Sequence, residues 1–360
     1  MNKQSKFYYK YLTLLVSILF ISLVYAIPSV NLYEPEGDVT TSNSSIEIEG
    51  NITCDASPCS GKFHWDGVNY TLPMEGDPSL VLKFSMNNLS ARGEWANSTG
   101  CLIVDESRYG NNGTCVGAPN ISYTPNGKYG GAFNFSGGVN YINMTKGIIN
   151  GSNSFTISTL FNTRKNAGYI LSLGWFRISF NDNDISTSLY NGTDNVHTFT
   201  NNINLNEWYH LVWVYNGTTQ IIYLNGVNND SYNSSFGQII TTSSSGKIGS
   251  TSTGTQGFNG TMDDFMIFNR SLSASEISQL YKTSMTKYNQ TSLNVWSNQT
   301  INNTVSNSTY TKTYNFYLCS SNSTGSENCT SQRTISMDIA KKSLTANFSS
   351  QIGTIRSDFY

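Results

Sequence analysis

The sequence predicts an all-β fold, one double-layered sandwich accompanied by a second and smaller β unit. Three observations carry this. Aromatic residues make up 13% of the 360 residues, with 22 tyrosines, in a chain rich in Asn, Ser, Thr and Gly. That mixture suits short strands joined by polar turns. Residues 204–228 hold two aromatic and β-branched runs, 208–215 and 220–224, around Asn216-Gly217. Both flanks, 27–75 and 286–341, show strand-like alternations too few to close a sandwich by themselves.

Asn-Gly is a hairpin signal because both residues tolerate positive φ, and a second Asn-Gly at 225–226 ends the next strand. In the first run Trp208, His210, Val212 and Val214 share one face, and Tyr209, Leu211, Trp213 and Tyr215 the other. Both faces are largely apolar, as a mid-sandwich strand requires. The run NEWYHLVWVYNGTTQIIYLNGV resembles the central strands of the laminin-G-like, concanavalin A-like jelly rolls. LVLKFSMNN, with VDESRYGNNGTCVGAPNISYTPNGKYGGAFNFSGGVNYINM, resembles the family's opening strands. GFNGTMDDFMIFNRSLSASEISQLY resembles its last strand and closing helix, and the matches together cover roughly residues 78–283. The resemblance implies a concanavalin A-like jelly roll over 76–285.

Taken in order, its strands are expected at 79–86, 132–135, 141–144, 155–161, 169–173, 176–180 and 185–190, then the hairpin, then 247–249 and 262–269. Ser273-Ala-Ser-Glu276 is a capping box that opens a short helix, with Ile277, Leu280 and Tyr281 on its apolar face. In the flanks, strands are expected at 29–33, 46–52, 61–65, 292–298, 309–319 and 332–339. Each flank alone leaves unpaired strand edges. Pairing the flanks with each other gives a single immunoglobulin-like sandwich, 27–75 with 286–341, interrupted by the jelly roll. Two small independent β segments are the other reading. The joints FHWDGVNYTLPMEGDPSLVLKFSMNN and LYKTSMTKYNQTSLNVWSNQT resemble those of such insertions in microbial, especially archaeal, surface proteins. Residues 342–360 begin a fresh apolar alternation, as the start of a further segment would.

Lys3, Lys6 and Lys10 precede an apolar run at 12–24 and the small residues before Pro28. A basic start and a short apolar core are the pattern of a secretory signal over 1–26. An uncleaved anchor, the only membrane contact expected, is the alternative; the run is shorter than the ~20 residues that span a bilayer. Six cysteines fall in close pairs: Cys54 with Cys59, Cys101 with Cys115, and Cys319 with Cys329. In an exported chain these read as three local disulfides, against the rival reading of free buried thiols. Dense Asn-x-Ser/Thr sequons support export only weakly in so Asn-rich a chain. With 12% charged residues and a net charge of −2, nothing argues for nucleic acid.

Three site chemistries are open to these residues. In similar jelly rolls an aspartate from the opening loop and one from the last strand meet around Ca²⁺, so the resemblance points to Asp105, Asn111, Asp263 and Asp264. Ca²⁺ needs six to eight hard oxygens. Turn-capping by Asp105 and edge hydrogen bonds by Asp263 and Asp264 are the alternative use of the same residues. For a glycan surface, an aromatic plate under a sugar ring needs planar polar groups beside it. Loops are expected to offer Trp175, Tyr190, Tyr232 and Phe258 beside Asn181, Asp182, Asn191 and Asp194; core or turn packing of Trp175 and Phe258 is the alternative. Catalysis is not expected within 1–345. The paired carboxylates of related glucanases have no counterpart here, since Asp263 and Asp264 are strand neighbours and alternate faces. His64 and His197 have no Ser or Cys nucleophile near them in sequence, and His210 reads as a packed core histidine.

The expectation is therefore an exported surface protein that binds glycans or glycoproteins at a microbial envelope. An accessory module of a larger glycan-degrading enzyme continuing past Tyr360 is the second class, and a ligand-free spacer the third.

Overall fold

The run that anchors the sequence reading forms the strand Trp208–Tyr215, in mid-sheet between Phe155–Thr163 and Thr219–Leu224. Its two faces enter different cores. Leu211, Trp213 and Tyr215 join the large core between two sheets, where the rings of Phe155 and Phe176 lie 4.8 Å from that of Trp213. Val212 and Val214 face the other way, into a cluster with Leu272, Ile277 and Leu280. Burying side chains of this size stabilises by roughly 1.5–3 kcal/mol each, which explains why both faces are apolar.

The structure, a computed structural model, describes residues 29–35, 39–41, 45–53, 60–71, 77–97, 99–117, 121–144, 147–241, 245–251, 253–287, 292–300, 311–321 and 327–338. The expected signal over 1–26 and the segment 342–360 lie outside the described residues. So does one of the three expected disulfides: Cys54 and Cys59 both fall in the interval 54–59, outside the described residues. The other two expected disulfides are present, Cys101 with Cys115 and Cys319 with Cys329.

The turns differ from each other. At Asn225-Gly226 both φ angles are positive, 51° and 78°, as a tight two-residue hairpin demands. At Asn216-Gly217 only the glycine is left-handed, at 99°. Asn216 keeps an ordinary φ, and its side-chain oxygen instead accepts the backbone N–H groups of Thr218 and Thr219 at 3.1 and 2.9 Å.

The jelly roll is two antiparallel sheets. The eight-stranded sheet runs, edge to edge, through Ser122–Thr124, Ala132–Ser136, Asn259–Phe268, Phe155–Thr163, Trp208–Tyr215, Thr219–Leu224 and Val227–Asn233, with Leu80–Phe84 paired onto Asn259–Phe268. The nine-stranded sheet begins with Asp194–Phe199, Asp184–Tyr190, Phe176–Asn181, Gly168–Leu173 and Gly246–Ile248. It continues through Tyr141–Met144, Gly113–Val116, Gly100–Ile103 and Trp95–Asn97. The disulfide Cys101–Cys115 ties two neighbouring strands near its end.

The helix Ala274–Lys282 covers the outer face of the eight-stranded sheet, through Ile277 and Leu280 against Leu80, Met266 and Phe268. Its start is fixed by the expected box: the Ser273 hydroxyl accepts the Glu276 N–H at 3.3 Å, and the Glu276 carboxylate accepts the Ser273 N–H at 2.8 Å. The outward face of the nine-stranded sheet carries no buried apolar cluster among the described residues.

The flanks pair with each other. Ser45–Thr53 runs antiparallel to Ser292–Thr300 over nine residue pairs, in a four-stranded sheet. Ser60–Trp65 pairs with Thr311–Ser321, and Val39–Thr41 lies parallel to Arg333–Asp338, in a six-stranded sheet. Ile48, Ile52 and Val295 from the first sheet share one core with Phe63, Phe316 and Leu318 from the second. Cys319–Cys329 bridges directly opposite residues there.

Candidate functional site

Pleating sends alternate residues to opposite faces. In the nine-stranded sheet Phe176, Ile178, Ile142 and Ile248 point inward, so their neighbours point outward. Cross-strand register lines those neighbours up. Val196 stands opposite Ser188, Ser188 opposite Arg177, Arg177 opposite Ser172, and Ser172 opposite Lys247. From Lys247 the row passes to Asn143, then to Thr114 and Leu102, and ends at Trp95. Nine strands at the usual spacing make this row roughly 38 Å long.

The row ends in Trp95 on one side and Val196 on the other, and a second tryptophan, Trp175, stands beside it in a turn. Trp95 is 43% exposed, and Trp175, in the turn between Leu173 and Phe176, is 50% exposed. Trp175 stacks on Tyr190 with ring centroids 6.3 Å apart and planes 21° apart. The Arg177 guanidinium lies 5.4 Å from the Trp175 ring and pairs with Asp194 at 3.0 Å. Ser188 donates its hydroxyl to the other Asp194 oxygen. Near the middle, the Lys247 ammonium sits 4.3 Å from the centroid of Tyr141. Ser172 and Ser188 are buried and donate internally, to the Gly174 carbonyl and to Asp194, so the row's accessible groups are Arg177, Lys247, Asn143, Thr114 and Trp95, charged, amide, hydroxyl and aromatic groups of the kind that saccharide recognition uses. Trp175, Tyr190 and Asp194 of the expected glycan surface are brought together beside the row.

The other expected members are not. Phe258 is fully buried, with its ring 5.7 Å from that of Phe135 and 5.8 Å from that of Phe180, so it packs the core and cannot meet a ligand. Asn181 and Asp182 lie at the opposite end of the strand Phe176–Asn181 from Trp175, roughly 20 Å away at 3.3 Å per residue. Tyr232 is in a strand of the other sheet, stacked on His197 at 3.9 Å. Tyr190 and Asp194 are strand residues too, and not loop residues. Asn191 sits in the turn between them and donates to the Phe236 carbonyl at 3.0 Å. Arg177, Lys247, Tyr141, Asn143 and Trp95 were missed because only register places them in line.

The residues expected around calcium do not fit a cage. Asp105 is buried and its carboxylate is saturated. One oxygen accepts the N–H groups of Lys83 and Ser107, both at 2.9 Å. The other accepts the Ser107 hydroxyl at 2.6 Å and the Asn111 N–H at 2.8 Å, while the Asn111 amide donates to the Val81 carbonyl at 2.8 Å. Asp105 is a loop organiser. The one trio of acidic, thiol or imidazole ligand atoms within 4.8 Å of each other among the described residues is Cys319, Glu327 and Cys329, whose sulfurs are joined to each other. Asp105, Asp263 and Asp264 therefore do not converge.

Asp263 and Asp264 depart from simple alternation. The register slips between Ser158 and Leu160, and Asp264 takes a φ of 44° in a bulge. Both carboxylates end up buried. One Asp263 oxygen accepts the N–H groups of Lys128 at 3.0 Å and Tyr129 at 2.9 Å; Asp264 accepts the Ser284 hydroxyl. Burial raises the pKa of both, that of Asp263 further through the neighbouring Asp264, and that of Asp264 to about 6. The alternation argument against an acid and base pair thus fails at this bulge, yet neither group is open to a substrate. His210 is buried as expected, with Nε2 2.9 Å from the Ser158 hydroxyl and a pKa pushed down to about 3 by burial.

A β sandwich with one face covered by a helix, and with no apolar cluster on the other among the described residues, of concanavalin A-like jelly-roll type, is the class that this architecture defines. Residues 136–278 match the laminin-G-like model of the concanavalin A-like lectin/glucanases superfamily, as the sequence resemblance implies. No curated protein matches the chain. Among solved structures, the binding domain of Paraclostridial Mosquitocidal Protein 1 is 18% identical with a TM-score of 0.44, over 57% of this chain and 52% of that one. Domain 4 of an extracellular arabinanase from Geobacillus stearothermophilus, solved with arabinotriose, is 19% identical with a TM-score of 0.42, over 57% and 98%. The botulinum neurotoxin serotype G binding domain is 18% identical with a TM-score of 0.44, over 58% and 54%. The chain thus spans about half the length of the first and third.

Proposed function

We propose that the jelly roll is a non-catalytic module that binds carbohydrate, free or on glycoproteins, along the outward face of its nine-stranded sheet. The observation that carries this reading is the half-exposed Trp175, stacked on Tyr190 beside the Arg177–Asp194 pair, next to an in-register polar row that ends in the exposed Trp95. A flat aromatic plate flanked by a fixed ion pair suits a sugar ring, which offers apolar C–H groups on its face and hydroxyls at its rim.

The setting is the outside of a microbial cell, where the protein serves adhesion. The basic and apolar N-terminal pattern and the disulfides Cys101–Cys115 and Cys319–Cys329 support export. Residues 27–75 and 286–341 act together as one immunoglobulin-like support with the jelly roll set into it. The nine-pair register of Ser45–Thr53 with Ser292–Thr300 favours that arrangement over two separate segments.

A glycan array probed with the full chain, and repeated with Trp175→Ala, tests the reading. Retention of at least one glycan by the wild type, weakened tenfold or more in the variant, is the expected result. Uniform absence of binding, or binding untouched by the substitution, defeats it.

A further inference from the structure

We infer that the saccharide taken by this face is anionic, a polyuronate whose carboxylate meets Lys247. The inference rests on the outward face being the saccharide site. Of the nine residues in register only Arg177 and Lys247 carry charge, and Arg177 is matched by Asp194 at 3.0 Å. Lys247 has no ion-pair partner among the described residues. It stands mid-row, with Ser172 opposite on one side and Asn143 on the other.

Its surroundings hold the ammonium in place. Lys247 is half-buried, and its Nζ lies 4.3 Å from the Tyr141 centroid, with the Thr251–Thr255 turn packed close by at Gly254. A cation over an aromatic ring is attracted to the ring's face and keeps its hydrogen-bond donors directed away from it. An ammonium held over the Tyr141 ring, with Asn143 next in register, gains little from a neutral sugar, whose approach strips its water. A carboxylate at the same point forms a charge-assisted hydrogen bond, about twice as strong as a neutral one. The flanking Asn143 amide and Tyr141 ring then serve the hydroxyls and the C–H face of the same residue or its neighbour. Charge, aromatic plane and amide thus stand together on one face, with the row's single unmatched charge near its middle.

The test compares polygalacturonate with the same polymer fully methyl-esterified, which keeps the backbone and removes the charge. Affinity electrophoresis and calorimetry with the full chain read the difference at low and high salt. The wild type should bind the acid form at least tenfold more tightly than the ester, with the preference shrinking at high salt. Lys247→Gln should remove the preference with the thermal midpoint unchanged; Lys247→Arg should retain most of it. Equal binding of acid and ester by the wild type, or a preference that survives Lys247→Gln, overturns the charge assignment and leaves the face as a saccharide site. Binding of neither polymer, together with an empty glycan array, overturns the site itself. Binding of neither beside array hits on neutral sugars alone overturns only the polyuronate assignment.

Discussion

The buried imidazole of His210 offers a sharp test of how completely the core is sealed. Its side chain is 2% exposed, bonded to Ser158 and stacked near Tyr281, and it titrates only at about pH 3 in the folded protein. In the unfolded chain a histidine takes up its proton near pH 6.5. Acidification therefore protonates the unfolded state first, and stability that is complete above pH 6.5 drains away as pH falls toward 3. At pH 5.0 the loss amounts to about 2 kcal/mol. Asp264 works in the opposite sense: with its pKa raised to about 6, its penalty is greatest above that value and eases on acidification. Over the same interval it returns roughly 1–2 kcal/mol, and the raised Asp263 acts in the same sense, so the wild-type profile alone does not reveal the histidine. The difference between wild type and His210→Gln isolates the histidine, because Asp263 and Asp264 are common to both. Urea unfolding at pH 7.5, 6.5 and 5.0 should show the variant's deficit narrowing by about 2 kcal/mol. A deficit that stays constant would mean that the ring titrates normally and that the pocket around it admits water.

Two further outcomes follow from the loop and its clip. Asp105→Asn removes acceptors for the Ser107 hydroxyl and the Asn111 N–H and should cost about 2–4 kcal/mol in urea unfolding. Wild-type thermal midpoints in millimolar calcium and in chelator should meanwhile agree to within about 1 °C, since the Asp105 oxygens are already taken up by loop donors; a rise of several degrees with calcium would show that the loop binds it. Replacing Cys101 and Cys115 together by serine should lower stability by about 3 kcal/mol, the loop-closure value for a sequence separation of 14, and a negligible change in reducing-agent-free buffer would contradict that entropy argument.

What sequence could reveal follows the physics of burial. The run 208–215 is largely apolar on both faces because each face packs, so its strand and its central place in the sheet are legible. The helix was legible from Ser273 and Glu276, which satisfy each other's end groups. Polar edge strands were not. Val227–Asn233 is exposed along almost its whole length and reads like a turn, since an edge strand is kept soluble by the residues that hide its alternation. Asp194–Phe199 hid Asp194 in the same way. Phe258, set between Gly257 and Asn259, looks like a turn aromatic until the fold closes over it. The single-residue bulge at Asp264 leaves no trace in the period of the flanking residues. The outward-facing row was the least legible feature of all, because Lys247 comes from a strand of three residues and its neighbours in space lie far apart along the chain.

The nine-pair ladder between Ser45–Thr53 and Ser292–Thr300 also decides which part of the molecule bears mechanical load. Tension applied between residues 29 and 338 passes across neighbouring strands that join the two flanks, loading their hydrogen bonds side by side, while the chain between them hangs as a slack branch. The jelly roll is therefore left unstretched by that load.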